Sequence, residues 1–201
     1  MSDQRSPAIA IWEFASIAQG VNGADAIAKG APIDLLYTGT THPGKYVVLV
    51  SGDTASVEVA ASIVEDFGAD LIDSVFLPDI DPSVADAMVS DNAAAQTSAE
   101  AVGVVETRTV ASGIDSADAA VKAADVSLAA VRIADGIDGK AYYIVEGTVG
   151  EVDAAVEAGV ERAGEKLVAA VVIPLLTDDL RDDLAASTGF LDRLRSHRTE
   201  A

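Results

Sequence analysis

Residues 41–53 read THPGKYVVLVSGD, and residues 136–148 read GIDGKAYYIVEGT. Each stretch places a Gly-Lys pair before a run rich in aromatic and β-branched residues, and a further glycine follows that run. Such runs are typical of β-strands, and a glycine-containing segment before one of them is typical of a loop between strands. The sequence therefore predicts the same loop and strand twice, and an internal repeat is the first feature to trace.

The repeat continues on both sides of these stretches. Residues 8–31 (AIAIWEFASIAQGVNGADAIAKGA) align with residues 101–124 (AVGVVETRTVASGIDSADAAVKAA). Further along, residues 75–78 (VFLP) align with residues 171–174 (VVIP). The matches fall in the same order in both halves, which predicts a tandem duplication of one domain.

Each copy carries the same order of strand and helix patterns. A β-rich run precedes a helix with apolar residues at helical spacing, and two strands, a second helix and a fourth strand follow. The second helix is expected to begin after Asp53 or Thr148, whose side chains suit an N-cap, and to end near Gly68 in the first copy. The faces expected to be buried are Val21, Ala24, Ile27 and Ala28; Ile114, Ala117, Val121 and Ala124; and Val57, Ala60, Ala61 and Val64.

These patterns predict an α/β (α+β) fold made of two tandem β-α-β-β-α-β domains, with the helices packed on an antiparallel-type sheet. The predicted boundaries are residues 7–89 for the first domain, 90–100 for a linker, 101–185 for the second domain and 186–201 for a C-terminal tail. One or two helical turns are expected before the linker, and residues 178–195 have the pattern of an acidic helix.

The composition narrows the range of partners and chemistry. The formal net charge is −20, from 33 acidic and 13 basic residues, and such a surface repels phosphate backbones and anionic lipid headgroups. Neither nucleic acid nor a membrane is therefore an expected partner. The longest apolar run, residues 167–176, is shorter than the roughly 20 residues of a spanning helix, so a soluble, intracellular protein is expected.

One segment resembles a nucleotide-binding motif, but it is not expected to bind a nucleotide. Residues 39–46 (GTTHPGKY) fit the phosphate-binding pattern GxxxxGK but end on Tyr46, where a Ser or Thr would hold magnesium. The motif must also open a helix, whereas Lys45 opens a predicted strand. His42 has no Ser or Asp partner nearby in the sequence, and His197 lies in the polar tail. No nucleophile, base and oxyanion site can be assembled, so an enzyme is not expected.

Two pairs of charged residues repeat at equivalent places. Glu13 and Glu106 lie on the first strand of each copy, and their repetition favours a structural role over acid–base catalysis. Lys29 and Lys122 end the first helices, where positive charge suits the helix dipole. A role of these lysines in lateral contacts is the alternative.

Several of these segments resemble one known family. GADAIAKGA and SADAAVKAA resemble the first-helix signature of bacterial microcompartment shell domains, and LVSGDTASVEVA and IVEGTVGEVDAA resemble that family's strand, glycine turn and second helix. The similarity covers almost all of both halves, and the strand order follows the unpermuted form. The chain is thus identified as a member of the tandem-domain (BMC-T) type and resembles trimeric shell proteins of propanediol-utilisation compartments.

The resemblance implies a structural shell protein that forms a pseudohexameric trimer tile with a central pore for small metabolites. In the family, the loops between the second and third strands of each domain line that opening, and a lysine at the end of the first helix lies at the tile edge. Lys29 and Lys122 match that lysine. The matching pore positions are Thr40, Thr41, His42, Pro43, Gly44, Gly136, Ile137, Asp138 and Gly139.

The resemblance also bears on cofactors. The most similar shell proteins carry a cysteine in place of His42, and three such cysteines hold an iron–sulfur cluster at the pore. This chain has no cysteine, so no cofactor is expected. No bound metal is expected either, and His42 is the only candidate ligand.

The expected partners are copies of the chain itself in a homotrimer, other shell proteins edge to edge, and encapsulated enzymes, all in a microcompartment shell within the cytoplasm. Two alternatives stay open. One is a small-molecule binding or sensing module on the same duplicated scaffold, and the other is a metal-binding electron-transfer shell protein that uses His42 at the threefold axis.

Overall fold

The computed structural model describes residues 8–89, 99–177, 179–180 and 184. Its strands and helices follow one another as β1 (Ala8–Phe14), α1 (Ile17–Gly30), β2 (Leu35–Thr41), β3 (Lys45–Gly52), α2 (Thr54–Val64), β4 (Leu71–Leu77), α3 (Pro82–Val89), β5 (Ala101–Thr107), α4 (Val110–Ala123), β6 (Ser127–Ile133), β7 (Ala141–Gly147), α5 (Val149–Ala163) and β8 (Leu167–Pro174). Short 3-10 segments, Glu65–Asp70 and Gly164–Lys166, follow α2 and α5.

Each half of the chain forms its own four-stranded antiparallel sheet. The strand order is β2-β3-β1-β4 in the first sheet and β6-β7-β5-β8 in the second. The register is also repeated, because Glu13 lies opposite Val47 on β3 and Glu106 lies opposite Tyr142 on β7. The predicted fold of two tandem β-α-β-β-α-β domains with helices on antiparallel sheets is confirmed.

The first sheet is covered on both faces. All the residues of β1 are buried, and alternate side chains of a strand point to opposite faces of its sheet. Trp12 and Phe14 belong to the apolar cluster that includes residues of α1 and α2. Ile9 and Ile11 belong to a different cluster, which they share with Val110 and other residues of α4 in the second domain. The two domains therefore pack together through the face of the first sheet that its own helices leave free.

The N-terminal caps of the second helices are as predicted. The carboxylate of Asp53 accepts a hydrogen bond from the N–H of Ser56 at 3.0 Å. The hydroxyl of Thr148 accepts one from the N–H of Glu151 at 3.4 Å, and the Glu151 carboxylate accepts one from the N–H of Thr148 at 3.2 Å. This reciprocal pair is a capping box. Each helix therefore starts at the residue whose side chain satisfies its first free amides.

The face that α1 buries is shifted from the predicted one. Val21 is 49% exposed and Ala28 is also exposed, so the prediction is wrong for these two residues within one chain. Close packing on the sheet explains the shift, because a Cβ added to Gly20 would lie 2.5 Å from the Cβ of Tyr46. The residues that α1 buries are Gly20, Gly23, Ala24 and Ile27.

The buried faces predicted for α4 and α2 agree more closely with the structure. In α4, Ile114 and Ala117 are buried as expected, whereas Val121 and the C-cap residue Ala124 are half-buried. In α2, the predicted stripe is buried except for Ala61, which is half-buried. The helix ends earlier than expected, at Val64, and Gly68 lies in the 3-10 segment that follows.

The segments beyond the two domains are only partly described. α3 supplies the helical turns expected before the linker. Residues 90–98 of the predicted linker, most of the predicted helix at 178–195, and the tail at 186–201 with His197 lie outside the described residues.

Candidate functional site

The two predicted pore loops lie side by side in one chain. His42, Pro43 and Gly44 form the exposed turn between β2 and β3, whereas Thr40 and Thr41 belong to the end of β2 rather than to the loop. Thr40 is exposed but Thr41 is buried. The strand extends this far because both residues pair with the start of β3.

The loop of the second domain contacts the turn of the first. Gly139 is buried, with φ of 67°, and an added Cβ there would collide with the carbonyl oxygen of His42. The ammonium of Lys45 donates a hydrogen bond to the Gly139 carbonyl at 3.4 Å. In the same loop Asp138 is exposed, with φ of 60°. Only glycine has both the backbone freedom and the small size that position 139 requires.

A buried carboxylate joins the two domains next to these loops. Glu13, on β1, is fully buried. One of its oxygens, Oε2, lies 3.2 Å from the ammonium of Lys45, and the other, Oε1, accepts a hydrogen bond from the N–H of Ala111 at 2.9 Å. Ala111 is in the first turn of α4, where backbone amides have no intrahelical partner and a negative charge is favoured. Glu13 therefore caps a helix of the other domain.

Burial dominates the electrostatics of this carboxylate. Loss of contact with water raises the pKa of Glu13, while the hydrogen bond from Ala111 and the charge of Lys45 act in the opposite direction. The repetition of Glu13 as Glu106 predicted a structural role for Glu13, but it did not predict that Glu13 lies between the two domains. A signal was available, since an acidic residue in an otherwise apolar strand repeats together with a lysine at the start of the third strand in both copies.

Among the residues that the structure describes, the repeated pair in the second domain has no such neighbour. The ammonium of Lys140 lies 2.8 Å from Oε1 of Glu106, and both side chains are partly accessible to water. They line an open cavity of about 460 Å³ together with Gly136, Ile137, Asp138 and Tyr142. The equivalent place beside Glu13 and Lys45 is occupied by the second domain.

Further polar contacts hold the two domains together. The Thr109 hydroxyl donates a hydrogen bond to Asp73, and the ammonium of Lys166 donates one to the carbonyl of Ile72 at 3.0 Å. The carboxylate of Asp118 accepts a hydrogen bond from the N–H of Asp81 at 2.7 Å. These contacts join β4 and the residues after it to α4, to the N-cap of α4 and to the 3-10 segment before β8.

The two predicted edge lysines have different surroundings. Lys29 is exposed, and its ammonium lies 2.5 Å from Asp25. Lys122 forms the equivalent pair with Asp118 at 2.7 Å and also donates a hydrogen bond to the carbonyl of Asp79 in the first domain. Lys122 thus lies where the two domains meet, and Lys29 lies on the outside of the chain.

The described residues group no set of metal ligands and form no membrane-spanning helix. In the described part of the chain, no three His, Cys, Asp or Glu side chains are grouped so that they could hold a metal ion. No helix among the described residues is both long and apolar enough to cross a membrane.

Comparison with known proteins gives consistent matches. The model of the BMC domain family matches residues 8–80 and 101–176. The chain is 43% identical over 172 residues to the bacterial microcompartment shell protein PduT of Citrobacter freundii, and the match covers 84% of this chain and 92% of PduT. It is 31% identical over 189 residues to the carboxysome assembly protein CcmO of a Synechocystis species, with 86% of this chain and 62% of CcmO covered.

Solved structures with the same fold include microcompartment proteins. A microcompartment protein from Desulfitobacterium hafniense has 38% sequence identity and a TM-score of 0.73, with 87% of this chain and 98% of that chain covered. A fused, permuted hexameric shell protein is 20% identical with a TM-score of 0.56 and shares the fold.

Proposed function

Because the chain belongs to the bacterial microcompartment domain family, as a tandem-domain structural protein of the shell and not an enzyme, we propose that three copies of it close into a ring of six domains. The ring is a pseudohexameric tile with a central pore for small metabolites. One observation carries this proposal. The two surfaces that meet between the domains of one chain are each repeated on its outside, where they are left uncovered.

The first uncovered surface is the outer face of α1, formed by Ile17 and Val21. Their equivalents in α4, Val110 and Ile114, are 2% and 0% exposed and are buried with the first sheet. Ile17 and Val21 are 42% and 49% exposed. Since the repeat places the same kind of side chain at each position, the outer face of α1 is suited to the same kind of contact.

The second uncovered surface is the part of the outer face of the second sheet around Val171. The other end of that face, at Val102 and Ile144, is buried in a cluster with Leu176 of the same chain. Val75, on β4, packs against the core cluster between the domains, whereas its equivalent on β8, Val171, is 48% exposed. The open cavity beside Glu106 and Lys140 belongs to the same surface. This surface repeats the one that receives α4 on the first sheet.

The two surfaces complement each other between copies. Contact between α1 of one copy and the second sheet of the next is head to tail, and such contacts form a closed ring when the rotation per unit divides a full turn. Two domains per chain then require three chains to complete six positions. The contact inside the chain provides the geometry for the contact between chains.

In this proposal the two loops that meet in each chain alternate around the pore. The turn at 42–44 and the loop at 136–139 are neighbours within one chain, so three copies bring together three His42 and three Asp138 side chains. Asp138 is exposed on its loop, and a ring of carboxylates makes the opening negative. Such an opening disfavours anions and leaves small neutral metabolites as the favoured traffic.

The mass of the assembly in solution tests this proposal. We expect a homotrimer by sedimentation velocity or light scattering, with sheets or layers by electron microscopy at high concentration. Assembly should strengthen as salt is added, because the net charge of −20 repels other copies and salt screens that repulsion. A monomer or a closed dimer at every salt concentration would contradict the proposal.

Lys29 and Lys122 are the proposed edge contacts, through which tiles meet each other and other shell proteins. Replacing Lys122 would also remove its bond to Asp79 inside the chain. The repeat puts Lys29 at the equivalent place beside the next copy, so the mass of the Lys29→Asp assembly is measured together with its ability to form sheets. We expect this variant to form trimers of unchanged mass that no longer assemble into sheets, because the reversed charge repels the neighbouring edge. Electron microscopy of concentrated trimers measures this.

The charge-conserving Lys29→Arg variant is the matched control and should still form sheets. Sheets of normal extent from Lys29→Asp would remove Lys29 from the edge. Loss of the trimer itself would place Lys29 between copies within the ring.

A further inference from the structure

The N–H of Ala111 donates a hydrogen bond to Glu13. The repeat contains an equivalent donor and an equivalent acceptor, and neither has such a partner among the described residues. In the repeat, Ala111 corresponds to Ala18, and Glu13 corresponds to Glu106. Ala18 lies in the first turn of α1, and Glu106 lies on β5, on opposite outer surfaces of the same chain. These two residues therefore cannot form within one chain the bond that their counterparts form.

The donor half is open. Ala18 is exposed, and among the described residues its N–H donates to no acceptor outside the helix. The side chain of Ser16, the N-cap of α1, accepts instead from the N–H of Gln19 at 3.3 Å. A first-turn amide has no partner within its helix, so the Ala18 N–H is free for a group from outside.

The acceptor half is open too. Oε1 of Glu106 is paired with Lys140, and no hydrogen bond to its second oxygen occurs within the described parts of the chain. Equivalent glycines in the neighbouring loops differ in the same way, because one lies against the other domain and its equivalent faces open space. Gly139 is in contact with the carbonyl of His42, whereas the equivalent Gly44, with φ of 104°, has open space where a Cβ would lie.

We propose that Glu106 of one copy accepts a hydrogen bond from the Ala18 N–H of the next copy, and that Lys140 donates one to the Gly44 carbonyl of that copy. The site is incomplete in a single chain, and the second copy supplies both missing groups. This inference rests on the proposed trimer and adds to it the polar contact that fixes the register between copies.

The contact selects one arrangement of the ring. When the second copy covers the cavity, the ion pair of Glu106 and Lys140 loses its access to water. A buried ion pair is tolerated only when further hydrogen bonds satisfy its remaining groups. The Ala18 N–H and the Gly44 carbonyl provide them, and the start of α1 adds a favourable partial charge. A copy docked in another register would leave the carboxylate buried and unsatisfied.

The Glu106→Ala variant tests the inference through the dissociation constant of the trimer. We expect that constant to rise by about tenfold or more, because a charged interface contact is lost at every junction between chains. Glu157→Ala is the matched control. It removes an exposed carboxylate of α5, outside the proposed contact and outside the pore, and it should not weaken the trimer.

Residue-resolved amide exchange gives a second readout. In the wild-type trimer the Ala18 amide should exchange slowly, and in Glu106→Ala it should exchange fast while Gln19, capped by Ser16, keeps its rate. A Glu106→Ala trimer as tight as the wild type, or an Ala18 amide with the same rate in both proteins, would overturn the inference. A wild-type protein that is not a trimer would instead overturn the proposed function.

Discussion

Replacing Val21 with Glu is expected to convert the trimer into monomers that keep the native fold. Val21 is exposed in a single chain, and its equivalent Ile114 is fully buried against the first sheet. A carboxylate placed in such an apolar contact without a partner costs several kcal/mol. The dissociation constant at each junction should therefore rise by more than about 100-fold, which corresponds to about 3 kcal/mol.

Sedimentation velocity measures the loss of the trimer, and the circular dichroism spectrum and melting temperature report on the fold. Val59→Glu is the matched control, because Val59 is also an exposed valine on a helix but lies on α2, outside the proposed contact. It should remain trimeric. A trimer of normal stability from Val21→Glu would show that the outer face of α1 is not the surface that meets the next copy.

Replacing Glu13 with Ala should give the largest loss of stability within the chain. The change leaves the mostly buried ammonium of Lys45 without its carboxylate and the N–H of Ala111 without an acceptor. Removing one partner of a buried ion pair costs about 3 to 5 kcal/mol, and Lys45 still reaches the Gly139 carbonyl. We therefore expect the free energy of unfolding to fall by about 3 kcal/mol.

Urea unfolding measures this fall at one fixed protein concentration, because the stability of an oligomer depends on concentration. Glu58→Ala, at an exposed position on α2, is the control and should change the free energy of unfolding by less than about 0.5 kcal/mol. An equal, small effect of both substitutions would show that the carboxylate between the domains contributes little.

The pH dependence of Glu13→Gln isolates the same carboxylate. Burial raises the pKa of Glu13 above its ordinary value of 4.5, so the folded state binds this proton more readily than the unfolded state. The stability that the Glu13 carboxyl group contributes is then full below its pKa in the unfolded state. It is lost as the pH rises through its pKa in the folded state. The free energy of unfolding of the wild type minus that of Glu13→Gln should therefore fall as pH rises from about 4.5. A difference that rises with pH would mean that Lys45 and α4 outweigh burial.

Local features of the fold could be predicted from the sequence because their causes are local. Asp53 and Thr148 stand directly before helical patterns, and each caps its helix through a side chain that reaches only three residues along the chain. The duplication was also evident, since matching segments recur in the same order. Both kinds of signal are contained in short stretches of sequence.

The predictions that failed depend on contacts between distant parts of the chain. The helical spacing of α1 placed Val21 on a buried face, but Gly20 brings the helix so close to Tyr46 that a different face is buried. The position of Glu13 depends on α4, which follows much later in the sequence. No pattern within either segment contains that information, although the repetition of Glu13 and Lys45 as Glu106 and Lys140 marked the pair.

The shared face of the first sheet also has a consequence for synthesis. The N-terminal domain leaves the ribosome first, and β1 to β4 can pair before α4 has been translated. During that interval Ile9, Ile11 and Val75 lack the helix that covers them in the finished chain. Incomplete chains with such apolar surfaces are prone to aggregate. The rate at which the second domain emerges therefore sets how long this apolar face stays exposed on the nascent chain.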